Sequence, residues 1–163
     1  MNSPYEGLNS LITLLHHTSQ EVRQGALLGV GLTCNNVYDP TEDLPVNVMY
    51  DTLSMHLTAS SSETVSNTFA AALLGLALAY ANTAREDLLP FIVKGITKGN
   101  QSVAGAAAIA GGLIFCGRRP EALVKPLLER LSHVNETTET QFATMLMSFG
   151  FSMLFFVGRF ISS

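Results

Sequence analysis

Gly25-Ala26-Leu27-Leu28-Gly29-Val30-Gly31-Leu32 and Ala71-Ala72-Leu73-Leu74-Gly75-Leu76-Ala77-Leu78 match nearly position for position at an offset of 46 (25 to 71). A third copy, Ala106-Ala107-Ala108-Ile109-Ala110-Gly111-Gly112-Leu113, follows at an offset of 35 (71 to 106). A fourth is degenerate: Gly150 and Ser152 are its small positions, and Gly158 stands to Gly117 at an offset of 41 (117 to 158). Periods of this length, each with room for two helices, indicate an α-solenoid. A glycine inside a helix costs about 1 kcal/mol against alanine. Recurring glycines therefore need an offsetting benefit, and close backbone approach supplies one. Gly25, Gly29, Gly31, Gly75, Gly111, Gly112 and Gly150 are the expected packing positions of a tight inner wall.

The segments between the copies carry helix punctuation. Ser3-Pro4-Tyr5-Glu6 reads as a capping box with Pro at the first helical position, followed by Leu8, Leu11, Ile12 and Leu15 at helical spacing. Thr18-Ser19-Gln20-Glu21 opens a second helix that runs to about Cys34. Asn35, Asn36, Asp39, Pro40 and Pro45 mark a loop. A third helix is expected from Pro45 to Leu57, with Val46, Met49, Leu53 and Leu57 on one face. Ser60-Ser61-Ser62-Glu63 should cap a fourth helix ending near Asn82. Thr83-Ala84-Arg85-Glu86 should cap a fifth, which Pro90 kinks or shifts. Gly99-Asn100 breaks the chain before a sixth helix that closes on Gly117 as a C′ glycine. Pro120 starts a seventh, with Leu123, Leu127, Leu128 and Leu131 inward, and the eighth begins near Thr137. The fold expected is all-α, an α-α superhelix of about four two-helix repeats near residues 4–36, 45–82, 84–117 and 120–160, forming one domain over 1–163. The odd helices hold more of the charge and should form the outer layer.

Composition narrows the function classes. The 163 residues are 47% apolar and only 13% charged, so the chain buries an unusual fraction of itself or has its faces covered by something else. A net charge of −4 without a basic stripe excludes a nucleic-acid partner. The apolar runs Phe69–Ala81, Val103–Cys116 and Phe142–Val157 fall short of the roughly 18–20 residues that cross a bilayer, and their Ala and Gly content suits helix packing. The opening Met1–Glu6 has neither basic flank nor long apolar core, so no signal peptide is expected there. Cys34 and Cys116 lie in apolar helical stretches and read as buried thiols. The sequons at Asn100 and Asn135 read as chance matches.

The residues hold no recognisable catalytic pattern. No Cys–His spacing suits zinc, and His16, His17, His56 and His133 do not cluster. His16 and His17 fit the end of the first helix, where positive charge complements the dipole. Gly29-Val30-Gly31 lacks the preceding strand and third glycine of a dinucleotide fingerprint. No nucleophile–base pair is readable, so no metal, cofactor or enzymatic activity is expected. Glu121, Lys125 and Glu129 form a stripe at i, i+4 and i+8. It reads either as a solvated face with two helical ion pairs or as a contact surface.

A two-helix repeat with a Gly/Ala-studded second helix resembles the proteasome/cyclosome repeat family. The residues that carry the resemblance are Gly25–Leu28, Leu76–Asn82 with Arg85-Glu86-Asp87 and Leu88-Leu89-Pro90, Val103–Gly117, and Leu127-Leu128-Glu129-Arg130. These words are most similar to those of a large non-ATPase subunit of the proteasome regulatory particle, over roughly residues 5–160. The resemblance implies a sector of a toroid and a non-catalytic scaffold in cytoplasm and nucleus, in contact with other regulatory-particle subunits. It also implies docking of ubiquitin, or of ubiquitin-like domains of shuttle factors, on outer helices of adjacent repeats, where acidic residues meet a basic, Ile-centred face. Carried over, the acidic positions fall on Glu129, on Lys125 with its sign reversed, and on Glu121, on the seventh helix with the fifth beside it. Other members of the family, a sister proteasome subunit or the anaphase-promoting-complex subunit, and an adaptor unrelated to degradation are the alternatives. The apolar last helix, without a following cap, is expected to favour self-association through the solenoid ends.

Overall fold

A computed structural model describes residues 4–35, 44–59, 65–134 and 138–157. Among them run eight α-helices: α1 (Pro4–Leu14), α2 (Gln20–Thr33), α3 (Leu44–Thr58), α4 (Asn67–Ala79), α5 (Leu89–Lys98), α6 (Gln101–Ile114), α7 (Glu121–Ser132) and α8 (Thr138–Leu154). No strand forms among the described residues; one isolated parallel bridge joins Val65 and Gly99. The even helices stack in chain order, α2 on α4, α4 on α6 and α6 on α8. The odd helices pack against them from outside. This is the α-solenoid that the repeat spacing predicts.

The starts of α2, α4 and α6 are set by side-chain caps, though not always where the sequence suggests. α2 is capped by Ser19, one residue later than a box beginning at Thr18: the Val22 N–H donates to Ser19 Oγ (3.4 Å). Ser19 Oγ in turn donates to Glu21 (2.7 Å), so the carboxylate holds the cap itself. α4 begins at Asn67, capped by Ser66 through the Phe69 N–H (3.3 Å), well after the cap expected at Ser60–Glu63. Ser60–Glu63, like Ser3, the loop 36–40, Asn135–Thr137 and Gly158, lies outside the described residues. Asn100 caps α6 through the Val103 N–H (2.9 Å). Thr83 does not cap α5; its hydroxyl donates back to the Tyr80 carbonyl (2.6 Å). The chain instead makes a 3-10 turn at Glu86–Leu88, and Pro90 sits in the first turn of α5, where its missing N–H costs nothing. Past the end of α1, His17 Nδ1 accepts the Ser19 N–H (3.0 Å), and Arg23 donates to the His17 and Thr18 carbonyls.

Two crossings bring inner helices together backbone to backbone. A Cβ on Gly31 of α2 would meet the Gly75 carbonyl of α4, and one on Gly75 would lie 2.6 Å from the Leu27 carbonyl. The same arrangement recurs between α6 and α8: a Cβ on Gly112 would lie 2.7 Å from the Gly150 carbonyl, and one on Gly150 would meet the Ala108 carbonyl. These pairs fix the register. Gly31 corresponds to Ala77 and then Gly112, and Gly75 to Ala110 and then Gly150, so α8 stands at an offset of 40 from α6 (110 to 150), not 41. At the middle crossing, α4 on α6, the register places Ala77 and Ala110, both fully buried. Gly111 turns the other way: a Cβ there would lie 2.7 Å from Leu123 and 3.1 Å from Ile92 of the outer layer. Gly29 faces Leu11 of α1, and a Cβ on Gly25 would meet nothing within 4 Å.

The repeats are also tied at both ends of the inner helices. Val65 and Gly99, which form the bridge, each immediately precede the cap of an inner helix. At the opposite end, the Asn82 and Ala84 N–H groups donate to the Leu113 and Ile114 carbonyls (2.7 and 2.9 Å). One repeat later, Gly117 donates to the Met153 carbonyl (3.1 Å). Gly117 therefore does not close its own helix as a C′ residue; it caps the next inner helix. Both loops use left-handed backbone at matching positions, Asn82 and Ala84 (φ 60° and 52°), then Gly117 and Arg119 (φ 74° and 49°). The hydrophobic core is continuous through these layers, with Leu27, Leu53, Phe69, Leu73, Ile92, Ile114 and Leu123 sealed from solvent. Met49, Leu53 and Leu57 form the buried face of α3.

Two glycine substitutions separate packing from propensity. Gly25→Ala should raise stability by about 0.5–1 kcal/mol, because the added methyl meets open space and the helix gains propensity. Gly31→Ala should lower it by about 1–3 kcal/mol, because the methyl meets backbone that cannot rotate away. Chemical denaturation midpoints check the pair; a Gly31→Ala protein as stable as the parent would discard the backbone-contact register.

Candidate functional site

The Glu121–Lys125–Glu129 stripe lies on the exposed face of α7, where Leu123 and Leu127 point into the core and hold the helix in orientation. Leu128, expected inward, is instead 50% exposed and belongs to the same outer face. These residues line a shallow groove of about 470 Å³ between α7 and the end of α8, together with Arg119, Val124 and Phe155. Arg119 stacks over the Phe155 ring at 5.0 Å and closes one end of the groove. Lys125 forms no ion pair with Glu121 or Glu129, so the helical pairs expected between them are absent. All three charges are left available to a partner. The groove thus has an apolar floor of Val124, Leu128 and Phe155 and a rim of two cations and two carboxylates. Sequence spacing found the rim; Arg119 and Phe155 arrive from the loop before α7 and the end of α8, which no local pattern brings together.

Arg130, next to Glu129, is committed elsewhere. It donates to the Ile96 and Gly99 carbonyls (2.8 and 2.9 Å), capping the C-terminal end of α5 and fixing α7 beside it. A second shallow groove on the outer layer, about 460 Å³, runs along α5 with Leu89, Pro90, Val93, Thr97 and two lysines, Lys94 and Lys98. The fifth helix therefore contributes basic side chains beside α7.

A polar cluster elsewhere on the outer layer is structural. Arg85 lies between the Tyr80 and Tyr50 rings, 4.3 and 4.7 Å from their centres, and forms a two-pronged pair with Asp87 (2.9 Å for each bond). Tyr50 donates to Asp87 (2.9 Å). The Arg85 fork, helped by the Tyr50 hydroxyl, holds the Asp87 carboxyl below the usual carboxylate range. This cluster clamps α3 to the loop between α4 and α5. Neither cysteine is in a disulfide; Cys34 is buried, whereas Cys116 is only partly so. No group of His, Cys, Asp or Glu among the described residues could hold a metal ion. No described helix is long and apolar enough to cross a membrane.

Stacked helix pairs with a glycine-crossed inner layer define a helical-repeat protein, an α-solenoid. No protein-family model matches the chain. The chain is similar to the 26S proteasome regulatory subunit rpn-1 of Neurospora crassa, with 30% identity over 135 residues, covering 77% of this chain and 14% of the relative. It thus spans about one seventh of that relative's length. The similarity supports a proteasome-like helical-repeat relationship and agrees with the resemblance read from the repeat words.

The Arg85 clamp yields a stability prediction. Arg85→Lys keeps the charge but loses the planar fork and the ring stacking, and should cost about 1–2 kcal/mol. Because the Asp87 pKa is lowered by folding, the clamp's contribution is full above the ordinary carboxylate value of about 3.9 and fades as pH falls through the lower folded value. Thermal melts of the parent and Asp87→Asn proteins should therefore converge in acid. A gap that stayed constant down to about pH 2 would contradict the assignment.

Proposed function

We propose that this chain is a non-catalytic scaffold segment of a proteasome regulatory particle, acting in cytoplasm and nucleus, and that its α7 groove docks ubiquitin or a ubiquitin-like domain. The scaffold half is supported by the solenoid together with similarity to a proteasome regulatory subunit along 77% of the chain. The docking half is supported by one observation: half-exposed Leu128 forms an apolar floor with Val124 and Phe155, rimmed by Glu121 and Glu129. A small domain with an Ile-centred apolar patch ringed by basic residues would bury its patch on Val124, Leu128 and Phe155 and pair its cations with the two glutamates. Lys125 opposes such a ligand, so affinity should be weak.

Titration of isotope-labelled ubiquitin, and then of a shuttle-factor ubiquitin-like domain, tests the docking half. Shifts confined to the ligand's apolar face are expected. Leu128→Asp should abolish them without unfolding the chain, and Lys125→Glu should strengthen binding several-fold. No shifts at millimolar concentrations of folded chain would remove the docking role and leave the scaffold role. The scaffold half predicts that the chain co-migrates with regulatory-particle subunits on native gels; migration apart from them would count against it.

A further inference from the structure

The groove along α5 has a character of its own. The core side of that helix is fixed: Ile92 and Ile96 are sealed from solvent, and a Cβ on Gly95 would lie 2.7 Å from the Ala107 methyl of α6. The opposite side forms the groove wall, and its two halves differ. Leu89, Pro90 and Val93, with Ala122 of α7, make an apolar end at the start of α5. Lys94 and Lys98, one helical turn apart, make a cationic end. Two of the chain's three lysines therefore stand in one groove. No carboxylate lines it, although the chain as a whole carries a net charge of −4.

The groups around the lysines are committed elsewhere. A lysine in the last turn of a helix can satisfy the terminal carbonyls. On α5 that task falls to Arg130, which donates to the Ile96 and Gly99 carbonyls. Lys98 is exposed and forms no ion pair among the described residues. Thr97 donates its hydroxyl to the Val93 carbonyl (2.8 Å), so it has no proton to give a ligand. Lys94 lies over the buried Phe69 ring, 5.7 Å from its centre, which sets the position of its ammonium in the groove wall. Recognition at this end is therefore by two cations alone.

We infer that the α5 groove docks an acidic amphipathic helix of a partner protein. Its apolar side chains pack on Leu89, Pro90, Val93 and Ala122, and its carboxylates, spaced i and i+4, meet Lys94 and Lys98. Charge complementarity selects this occupant. A basic ligand is repelled, and a neutral apolar helix would desolvate two ammonium groups without pairing them. A polyanion without apolar groups would leave half of the groove unused. The lysine spacing of one turn matches carboxylates one turn apart on a facing helix. The contact is small, so binding is weak and falls as salt rises. The α5 groove lies on the third of four helix pairs, with a pair on either side, and is independent of the α7 reading: α7 offers glutamates to a basic ligand, α5 offers lysines to an acidic one.

The test is fluorescence anisotropy of a labelled synthetic helix, with leucines along one flank and glutamates at i and i+4 beside them, titrated with the whole chain. Saturable binding that weakens with salt is expected. Lys98→Glu should weaken it about tenfold or more, whereas Lys98→Arg, which keeps the charge, should bind like the parent. Ala122→Glu, at an exposed position in the first turn of α7 where a carboxylate suits the helix, should weaken it without unfolding the chain. The same synthetic helix with serine for leucine should bind about tenfold more weakly. Leu128→Asp and Lys125→Glu should leave the binding unchanged, and Lys98→Glu should leave the ubiquitin titration unchanged, so the two grooves fail or stand separately. No saturable binding at millimolar chain, equal binding of the serine helix, or loss through Leu128→Asp but not Lys98→Glu would overturn the inference.

Discussion

The contact on which the rest of the architecture depends is the crossing of inner helices at Gly31 with Gly75 and Gly112 with Gly150. At these points a side chain is replaced by another helix's backbone, and the gap left for a Cβ is smaller than real contacts allow. Helix axes that close bring the flanking alanines into dense mutual contact, so Ala71, Ala72, Ala107 and Ala108 are buried although each has little surface to contribute. Many small dispersion contacts replace a few large side chains. The propensity cost of each glycine, about 1 kcal/mol, is offset by that approach. Where the register substitutes Ala77 and Ala110, the same crossing is made with a methyl on each side.

Close packing of the inner helices dictates where the large side chains go. The bulky core residues lie between layers, where Leu53, Phe69, Ile92, Ile96 and Leu123 fill the space between outer and inner helices. Gly111 accepts Leu123 and Ile92 while its neighbour Gly112 accepts α8, so adjacent glycines serve two interfaces a helix face apart. Neighbouring repeats are then tied at both ends, by the Val65–Gly99 bridge and by the left-handed loops that donate to the next inner helix. Each of these ties reaches only the adjacent repeat, which is the quasi-one-dimensional arrangement that defines a solenoid.

Much of this was legible in the residues, for a physical reason. The Gly/Ala words recur because the backbone contact that demands them recurs, and so the helix count, the pairing and the identity of the inner layer follow from spacing. What escaped was set by contacts between repeats. Gly117 looks like a helix terminator, yet its N–H is taken by the next inner helix. Leu128 fits an apolar heptad-like stripe with Leu127 and Leu131, but adjacent helix residues point about 100° apart, and on α7, which buries one narrow face, Leu127 takes the core position. The start of α4 moved to Ser66 because Val65 is held in the bridge to Gly99, an interaction with no local signature. In the candidate site, the α7 stripe was readable from i, i+4 spacing, whereas Phe155 and Arg119 join it only through the fold.

The same division explains why candidate binding surfaces sit where they do. The Gly- and Ala-rich words of α2, α4 and α6 offer few functional groups, and backbones that approach so closely leave little room for a ligand between them. The outer layer is under no such constraint. Its helices need only one buried face, as Leu123 and Leu127 supply on α7, so the remaining faces are free to vary in charge. Glu121, Lys125 and Glu129 on α7 and Lys94 and Lys98 on α5 show such variation within one scaffold. A change of sign at Lys125 alters what the groove attracts without touching the packing beneath it. Inner-layer sequence therefore specifies how repeats assemble, and outer-layer sequence specifies what the assembled surface binds.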